Sequence, residues 1–320
     1  MLDGAVIVSL FGHALRATRQ NRLVILVYHR VRPRPDPMFP LEVDAARFDW
    51  QMEVLRRHCE PLSLSKAVDG LRRGVLPARA VSVTFDDGYG DNATIAVPIL
   101  QRHHIPATFF VATGYLDGGR MWNDSIIETV RATEGNVFDA ESMGAGRIDI
   151  STSRSRGLAA ESLIRAVKHL PFAEREAKVC RLAEAQGVRL PADLMMTSSQ
   201  VRAVHDAGIE IGAHTVSHPI LRTLDDGKAQ AEIADSRMVL ERITGSRVKA
   251  FAYPNGRPGD DYTDRDRSIV ESLGFDYAVS TAAGAATRTS DVLQLPRFTP
   301  WDPQPSRWLG RLLTTYRSAA

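Results

Sequence analysis

The run Val81-Ser82-Val83-Thr84-Phe85 alternates apolar residues with small hydroxyl residues and ends in Asp86-Asp87-Gly88-Tyr89. The alternation and the β-branched residues predict a strand. Two adjacent carboxylates at the end of a buried strand oppose each other's ionisation. The chain must therefore supply something that makes the pair tolerable. An Asp-Gly turn is the plain reading, because that dipeptide is common punctuation. The alternative is a metal site in which one carboxylate binds a cation and the other stays free as a base.

A second buried strand points the same way. Leu23-Val24-Ile25-Leu26-Val27-Tyr28 is continuously apolar, as a parallel strand covered on both faces should be, and it ends in His29 before a Pro-rich loop. Helical spacing follows at Phe48, Met52 and Leu55, and a second helix runs from Ser63 to near Gly74. Past the Asp-Asp strand, residues 92–103 read as a helix and Ala107–Val111 as a strand. Residues 113–196 are more polar and locally helical, with a small hairpin around Ile148, and read as an insertion rather than a second domain.

Regular alternation then resumes. Strands are expected at 209–213, 248–253, 277–280 and 293–295, with helices at 198–207, 228–243 and 265–273 between them. Strand–helix alternation implies a parallel sheet with helices outside. Seven or eight units predict an α/β fold, a closed (β/α)7-8 barrel with its chemistry at the C-terminal strand ends. The expected organisation is one catalytic domain over 1–320, with a core at 23–300, the insertion at 113–196 and a C-terminal helix at 303–317.

Composition excludes little. Forty basic against thirty-eight acidic residues leave a net charge of +2, which gives no reason to expect a nucleic-acid partner. Cys59 and Cys180 are the only cysteines and read as free thiols, mildly favouring a reducing compartment. The short apolar run Ala5–Phe11 has no preceding Lys or Arg and makes a poor secretory signal, so the expectation is the cytoplasm or its membrane face. Leu10, Phe11 and Leu15 with Arg16, Arg19 and Arg22 can form an amphipathic helix. So can Trp308, Leu309, Leu312, Leu313 and Tyr316 with Arg307, Arg311 and Arg317. For both, packing on the chain's own domain is the preferred reading and peripheral membrane contact the alternative.

His214-Thr215-Val216-Ser217-His218 follows the 209–213 strand and offers two imidazoles four residues apart. On one helical turn they would share a face. Position strengthens the pattern, since Asp86-Asp87 and His214 both follow strands and so belong to the same rim. One carboxylate and two imidazoles leave open positions on a divalent ion, the pattern of a catalytic site rather than a closed structural one.

The segment Thr84–Tyr89 together with His214–His218 resembles the two metal motifs of the polysaccharide deacetylase family, the NodB-homology or carbohydrate esterase family 4 group. Leu26–Val31 is similar to the first strand of its exopolysaccharide-type members, and Ala107–Val111 to the strand after the first motif. The resemblance implies a distorted barrel of NodB type and metal-dependent removal of N-acetyl groups from an N-acetylated saccharide substrate. It implies Asp87, His214 and His218 as metal ligands and Asp86 as general base. It also implies a backbone amide near Tyr253 close to the oxyanion. Zn²⁺ is the simplest ion, and Co²⁺ or Ni²⁺ would also bind.

The chain departs from that pattern in places. Ala252 follows Phe251 where the family usually has an arginine that tethers the base. Leu295-Pro296-Arg297 stands where it usually has a histidine acid. Two expectations follow. Arg297 holds Asp86 ionised from a different strand, or else pairs with a structural carboxylate. His29 acts as the acid, or else only orders the rim. Trp122-Asn123-Asp124 either offers a stacking surface for a sugar or packs in a core. Two other functions stay open at this point: a carbon–nitrogen hydrolase on a small amide or ureide, and an inactive metal- or saccharide-binding module.

Overall fold

The structure is a computed structural model that describes residues 21–318. The amphipathic helix expected around Leu10–Leu15 and the apolar run before it lie outside the described residues.

Strand β1 (Arg22–Tyr28) pairs in parallel with β3 (Ala80–Phe85), and β2 (Glu60–Pro61) flanks β3. Next come β4 (Ala107–Val111), β7 (Glu210–Ala213), β8 (Ala250–Ala252) and β9 (Tyr277–Val279), each parallel to its neighbour. All six residues of β3 are buried, which explains why polar Ser82 and Thr84 both donate to backbone carbonyls, of Leu62 and Leu26 respectively. A short strand, β10 (Ala286–Thr287), caps the start of β1 antiparallel; no sequence pattern marks it.

The strand expected at 293–295 is not formed. That stretch instead closes the curled sheet with isolated bridges. Leu295 bridges Val279 of β9, and Phe298 bridges Leu26 of β1. Phe298 both donates to Ile25 and accepts from Val27 across this seam. The gap between the first and last strands is thus spanned by a few residues, and Arg297 lies within them. A proline at 296 cannot donate to a ladder, which is one reason the segment pairs only at points. The architecture is the distorted (β/α) barrel.

The insertion begins after β4 and carries helices at Trp122–Ala132, Ser153–Val167 and Phe172–Ala185, with a small antiparallel pair, β5 (Val137–Asp139) and β6 (Arg147–Asp149). It has its own apolar cluster, centred on Ile126, Val130, Phe138, Leu163 and Leu182. Both ends are pinned at the rim. Gly114 donates to Val216, and Met196 donates to Gly88. Gly157 lets one helix approach the Pro-rich loop, since a Cβ there would lie 2.4 Å from the Met38 carbonyl oxygen.

The C-terminal helix, Pro305–Arg317, buries Trp308, Leu309, Leu312 and Tyr316. Its Tyr316 hydroxyl donates to the carbonyls of Arg79 and Ala80 at the base of β3. That apolar stripe packs inward on the chain itself and is not available to a membrane surface.

Candidate active site

Asp86 and Asp87 leave the end of β3 in different directions because the chain turns sharply there. Asp87 and Gly88 adopt φ of 73° and 87°. Such a conformation is costly for a non-glycine residue and marks a constrained site. The turn is held by Asp86 N–H donating to Tyr28 O and Ala112 N–H donating to Asp87 O.

Asp86 points at the closing seam. Arg297 grips it bidentately, with Nη1 donating to Oδ1 at 2.7 Å and Nη2 to Oδ2 at 2.6 Å. Arg297 is itself held by Ser280 O through Nε at 2.8 Å and by Thr84 Oγ1 at 3.3 Å. Both charged groups are 2% exposed, so water does not screen the pair. Burial alone would raise the carboxyl's pKa; the Arg297 guanidinium outweighs it and brings Asp86 below the ordinary carboxylate value. Where no arginine follows Phe251, Arg297 in the segment closing the sheet grips the carboxylate instead.

Asp87 points the other way, to the histidine loop. Nε2 of His214 and Nε2 of His218 each lie 3.4 Å from Asp87 Oδ1, and the three candidate ligand atoms all lie within 4.8 Å of one another. The pair of histidines does not sit on a helical turn. Residues 214–218 form a bent loop with Thr215 and His218 at φ of 66° and 52°. The loop must fold back to bring the two rings together, and it does so on three supports. Glu232, from the helix Asp226–Thr244, accepts from the amides of Val216 and Ser217 and from the Ser217 hydroxyl, at 2.6–2.9 Å. Thr113 and Gly114, just past β4, donate to Thr215 and Val216. Thr215 Oγ1 accepts from the His218 amide. Glu232 carries no signal in the sequence, where it is one of many acidic residues on an amphipathic helix.

The donor set fits a divalent cation. His214 Nδ1 sits 2.7 Å from the Ala252 carbonyl oxygen, which fixes the tautomer and leaves Nε2 as the acceptor facing Asp87. Asp87 Oδ1 is buried and has no hydrogen-bond partner among the described residues. A buried carboxylate oxygen left unpaired is costly unless it has a cation to bind. Burial pushes the His218 imidazole down to about 4, so it is neutral in ordinary buffer. For Asp87, burial is outweighed by the neighbouring imidazoles, and its carboxyl stays well below the usual range. For His214, burial is outweighed by Asp87 and Asp86, which raise its imidazole above the ordinary value, so binding a cation there displaces a proton as well as filling the site.

A cavity of 150 Å³ opens over this cluster. Asp87, His218, Asn255, Trp122, Lys168 and Arg175 line it. Trp122 lines the cavity with one face of its ring already covered, because the Arg175 guanidinium lies over it at 4.7 Å. His29 is at the same rim, and its field reaches Asp86, Asp87 and His218. It lines a separate cavity on the β1 side, with Thr299 and Trp301, rather than the one over Asp87. Its backbone carbonyl accepts from Asn92 Nδ2. The Tyr253 amide is not poised for an oxyanion, since it donates to Val279 O at 3.3 Å in the β8–β9 extension.

Comparison with known proteins agrees with this geometry. The family model described as polysaccharide deacetylase matches residues 73–155 and 165–278, which include both aspartates and both histidines. YxkH of Bacillus subtilis (strain 168), which carries a polysaccharide deacetylase name, is 22% identical over 284 residues, covering 88% of this chain and 73% of that one. A poly-β-1,6-N-acetyl-D-glucosamine N-deacetylase of Staphylococcus epidermidis is 27% identical over 129 residues; the match spans 36% of this chain and 44% of that protein's length. In fold, the chain is similar to the Streptococcus pyogenes deacetylase PplD in complex with acetate, with a TM-score of 0.62 and 22% identity over 93% of this chain and 99% of that one. It is also similar to IcaB from Ammonifex degensii, with a TM-score of 0.61 and 20% identity over 94% and 99%.

Proposed function

The chain belongs to the polysaccharide deacetylase family, and from that premise we propose that it hydrolyses the N-acetyl amide of an amino sugar within a saccharide, releasing acetate and a free amine. One observation carries the reading. Two adjacent aspartates are separated into two environments, one held against a guanidinium and one against two imidazoles. Only a site that needs a free base beside a bound cation has use for both.

Asp87, His214 and His218 would hold the divalent ion, with Zn²⁺ as the simplest occupant and Co²⁺ or Ni²⁺ as substitutes. The chemistry supplied by such an ion is Lewis acidity, which polarises an amide carbonyl and acidifies water. Asp86 does the proton work. Arg297 engages each of its oxygens once, and each retains a second lone pair for a proton taken from the attacking water. Arg297 and Ser280 keep that carboxylate in one orientation, so no reorganisation is needed at the moment of attack. The proton needed by the leaving amine is assigned to His29 on the strength of its field at Asp86 and Asp87; its imidazole lines the separate β1-side cavity and is claimed by no hydrogen bond among the described residues. The insertion forms the outer wall of the cavity over Asp87, through Trp122, Ile164, Lys168 and Arg175.

A small amide or ureide is the competing substrate class. The experiment sets N-acetylglucosamine oligomers against acetamide and hydantoin with metal-loaded protein. Acetate and free amine should appear in equal amounts from the oligomers, and His29→Ala should slow that release by roughly a hundred-fold. Turnover confined to the small amides would overturn the saccharide reading. Unchanged turnover in His29→Ala would remove His29 as the proton donor.

A further inference from the structure

Arg175 is chemically out of place. It stands in the first turn of the helix Phe172–Ala185, where a cation opposes the helix dipole. It is 6% exposed, and its Nε has no hydrogen-bond partner. Among the described residues no carboxylate lies within ion-pair distance of it. Glu176 reaches it only through its field, and burial raises the pKa of that carboxyl. Two aromatic rings carry the guanidinium instead, Trp122 at 4.7 Å and Phe172 at 5.6 Å. Stacking of this kind supports the plane of an arginine while leaving its N–H edge unspent.

Further groups of the same sign stand beside it, together with acidic Glu174 in the same first turn and Glu232 and Asp235 on the wall of the larger cavity. Pro171 is the helix N-cap and has no side chain able to cap, so no side chain meets the amides of the first turn. Lys168, half-buried and in no ion pair among the described residues, lies a few positions before it. Lys168 and Arg175 line both the 150 Å³ cavity over Asp87 and a larger one of 820 Å³ on its outer side. The larger cavity continues past Leu170 and Phe172 toward Ile220. An unpaired guanidinium, an unpaired ammonium and an uncapped helix start thus converge at the passage between the two. Uncapped helix starts attract anions, and arginine binds carboxylate or phosphate oxygens through two parallel bonds.

We propose that Arg175, with Lys168 and the start of the Phe172–Ala185 helix, forms an oxyanion subsite, and that the substrate is an acidic saccharide. A carboxylate or phosphate on the sugar next to the N-acetylated one occupies the passage, and the rest of the chain lies in the larger cavity. This rests on the deacetylase reading of the adjoining site and adds the charge of the substrate. Arg175 and Lys168 act as specificity residues; neither is assigned any part in bond breaking.

The experiment compares three probes on metal-loaded protein: a chitin tetrasaccharide, a hyaluronan tetrasaccharide bearing carboxylates, and UDP-N-acetylglucosamine bearing phosphates. Equilibrium binding by calorimetry and acetate release are both read. One charged hydrogen-bonded contact corresponds to roughly a ten-fold change in affinity. At least one acidic probe should therefore bind roughly ten-fold or more tighter than the neutral one, and the probe that does identifies carboxylate or phosphate. Arg175→Gln should remove that preference, Arg175→Lys should restore part of it, and Lys168→Gln should weaken it while leaving the fold intact. The change should fall mainly in KM rather than kcat. Equal binding of all three probes, or a preference untouched by both Gln variants, would overturn the subsite. If the acidic preference and its loss in Arg175→Gln are seen but no probe releases acetate, the subsite stands and the deacetylase reading fails. If the neutral probe releases acetate with no acidic preference, the reverse holds.

Discussion

Arg297→Ala should cost the protein about 3–5 kcal/mol of stability, because it strips a buried carboxylate of its ion-pair partner. Arg297 and Asp86 are both nearly inaccessible to water, and their two short bonds are the main reason that Asp86 can be ionised there. The variant also leaves Ser280 O and Thr84 Oγ1 without the donor they accept from. A fall in Tm of roughly 5–10 °C is expected. Arg297→Lys should recover little of it, since an ammonium cannot reproduce the two-pronged grip while also reaching Ser280. A second readout separates the catalytic role from the structural one. Burial raises the pKa of Asp86 and Arg297 lowers it. Without Arg297 the carboxyl therefore holds its proton to higher pH, and the acid limb of the kcat/KM profile should move upward. A variant with an unchanged acid limb would show that the pair is structural only.

Asp86→Asn should reduce turnover by about a thousand-fold, within the range that general base catalysis contributes. The carboxamide is close in size to the carboxylate and can still accept one bond from Arg297, but it cannot take a proton from water. Metal content should stay that of the parent protein, because the metal ligands come from Asp87 and the histidine loop. Some stability is lost as well, since the guanidinium now lacks its counter-charge, so activity is compared per folded molecule at a temperature well below Tm. Full metal content with residual turnover near the parent's would mean that Asp86 is not the base. Loss of turnover together with loss of metal would mean that the two aspartates share the ion.

Much of this site is legible in the order of the residues. The Asp-Asp turn and the two histidines are local events at strand ends, and the parallel strand–helix rhythm puts such ends on one rim; Arg297 joins them from the short segment that closes the sheet between β9 and β1. Two features depart from what local pattern implies. The four-residue spacing of His214 and His218 suggests a helical turn, because that is the simplest way to bring such a pair together. The chain uses a bent loop held by Glu232 instead, a long-range contact that leaves no periodic trace. Likewise Leu293-Gln294-Leu295 has the composition of a strand, but Pro296 and the narrow gap between β9 and β1 allow only single bridges. Trp122 is legible as a site residue only by its position. That Arg175 covers its face depends on how the insertion helices pack, which no short pattern records.

The measurement that tests the central claim most directly is metal titration of stripped protein. The protein is freed of metal by a chelator, then Zn²⁺ or Co²⁺ is added stepwise while acetate release from N-acetylglucosamine oligomers is followed. The account predicts that stripped protein is inactive and that activity returns as one equivalent binds. His214→Ala should bind the ion too weakly to recover under the same additions. Full acetate release from stripped protein, or full recovery in His214→Ala, would contradict it.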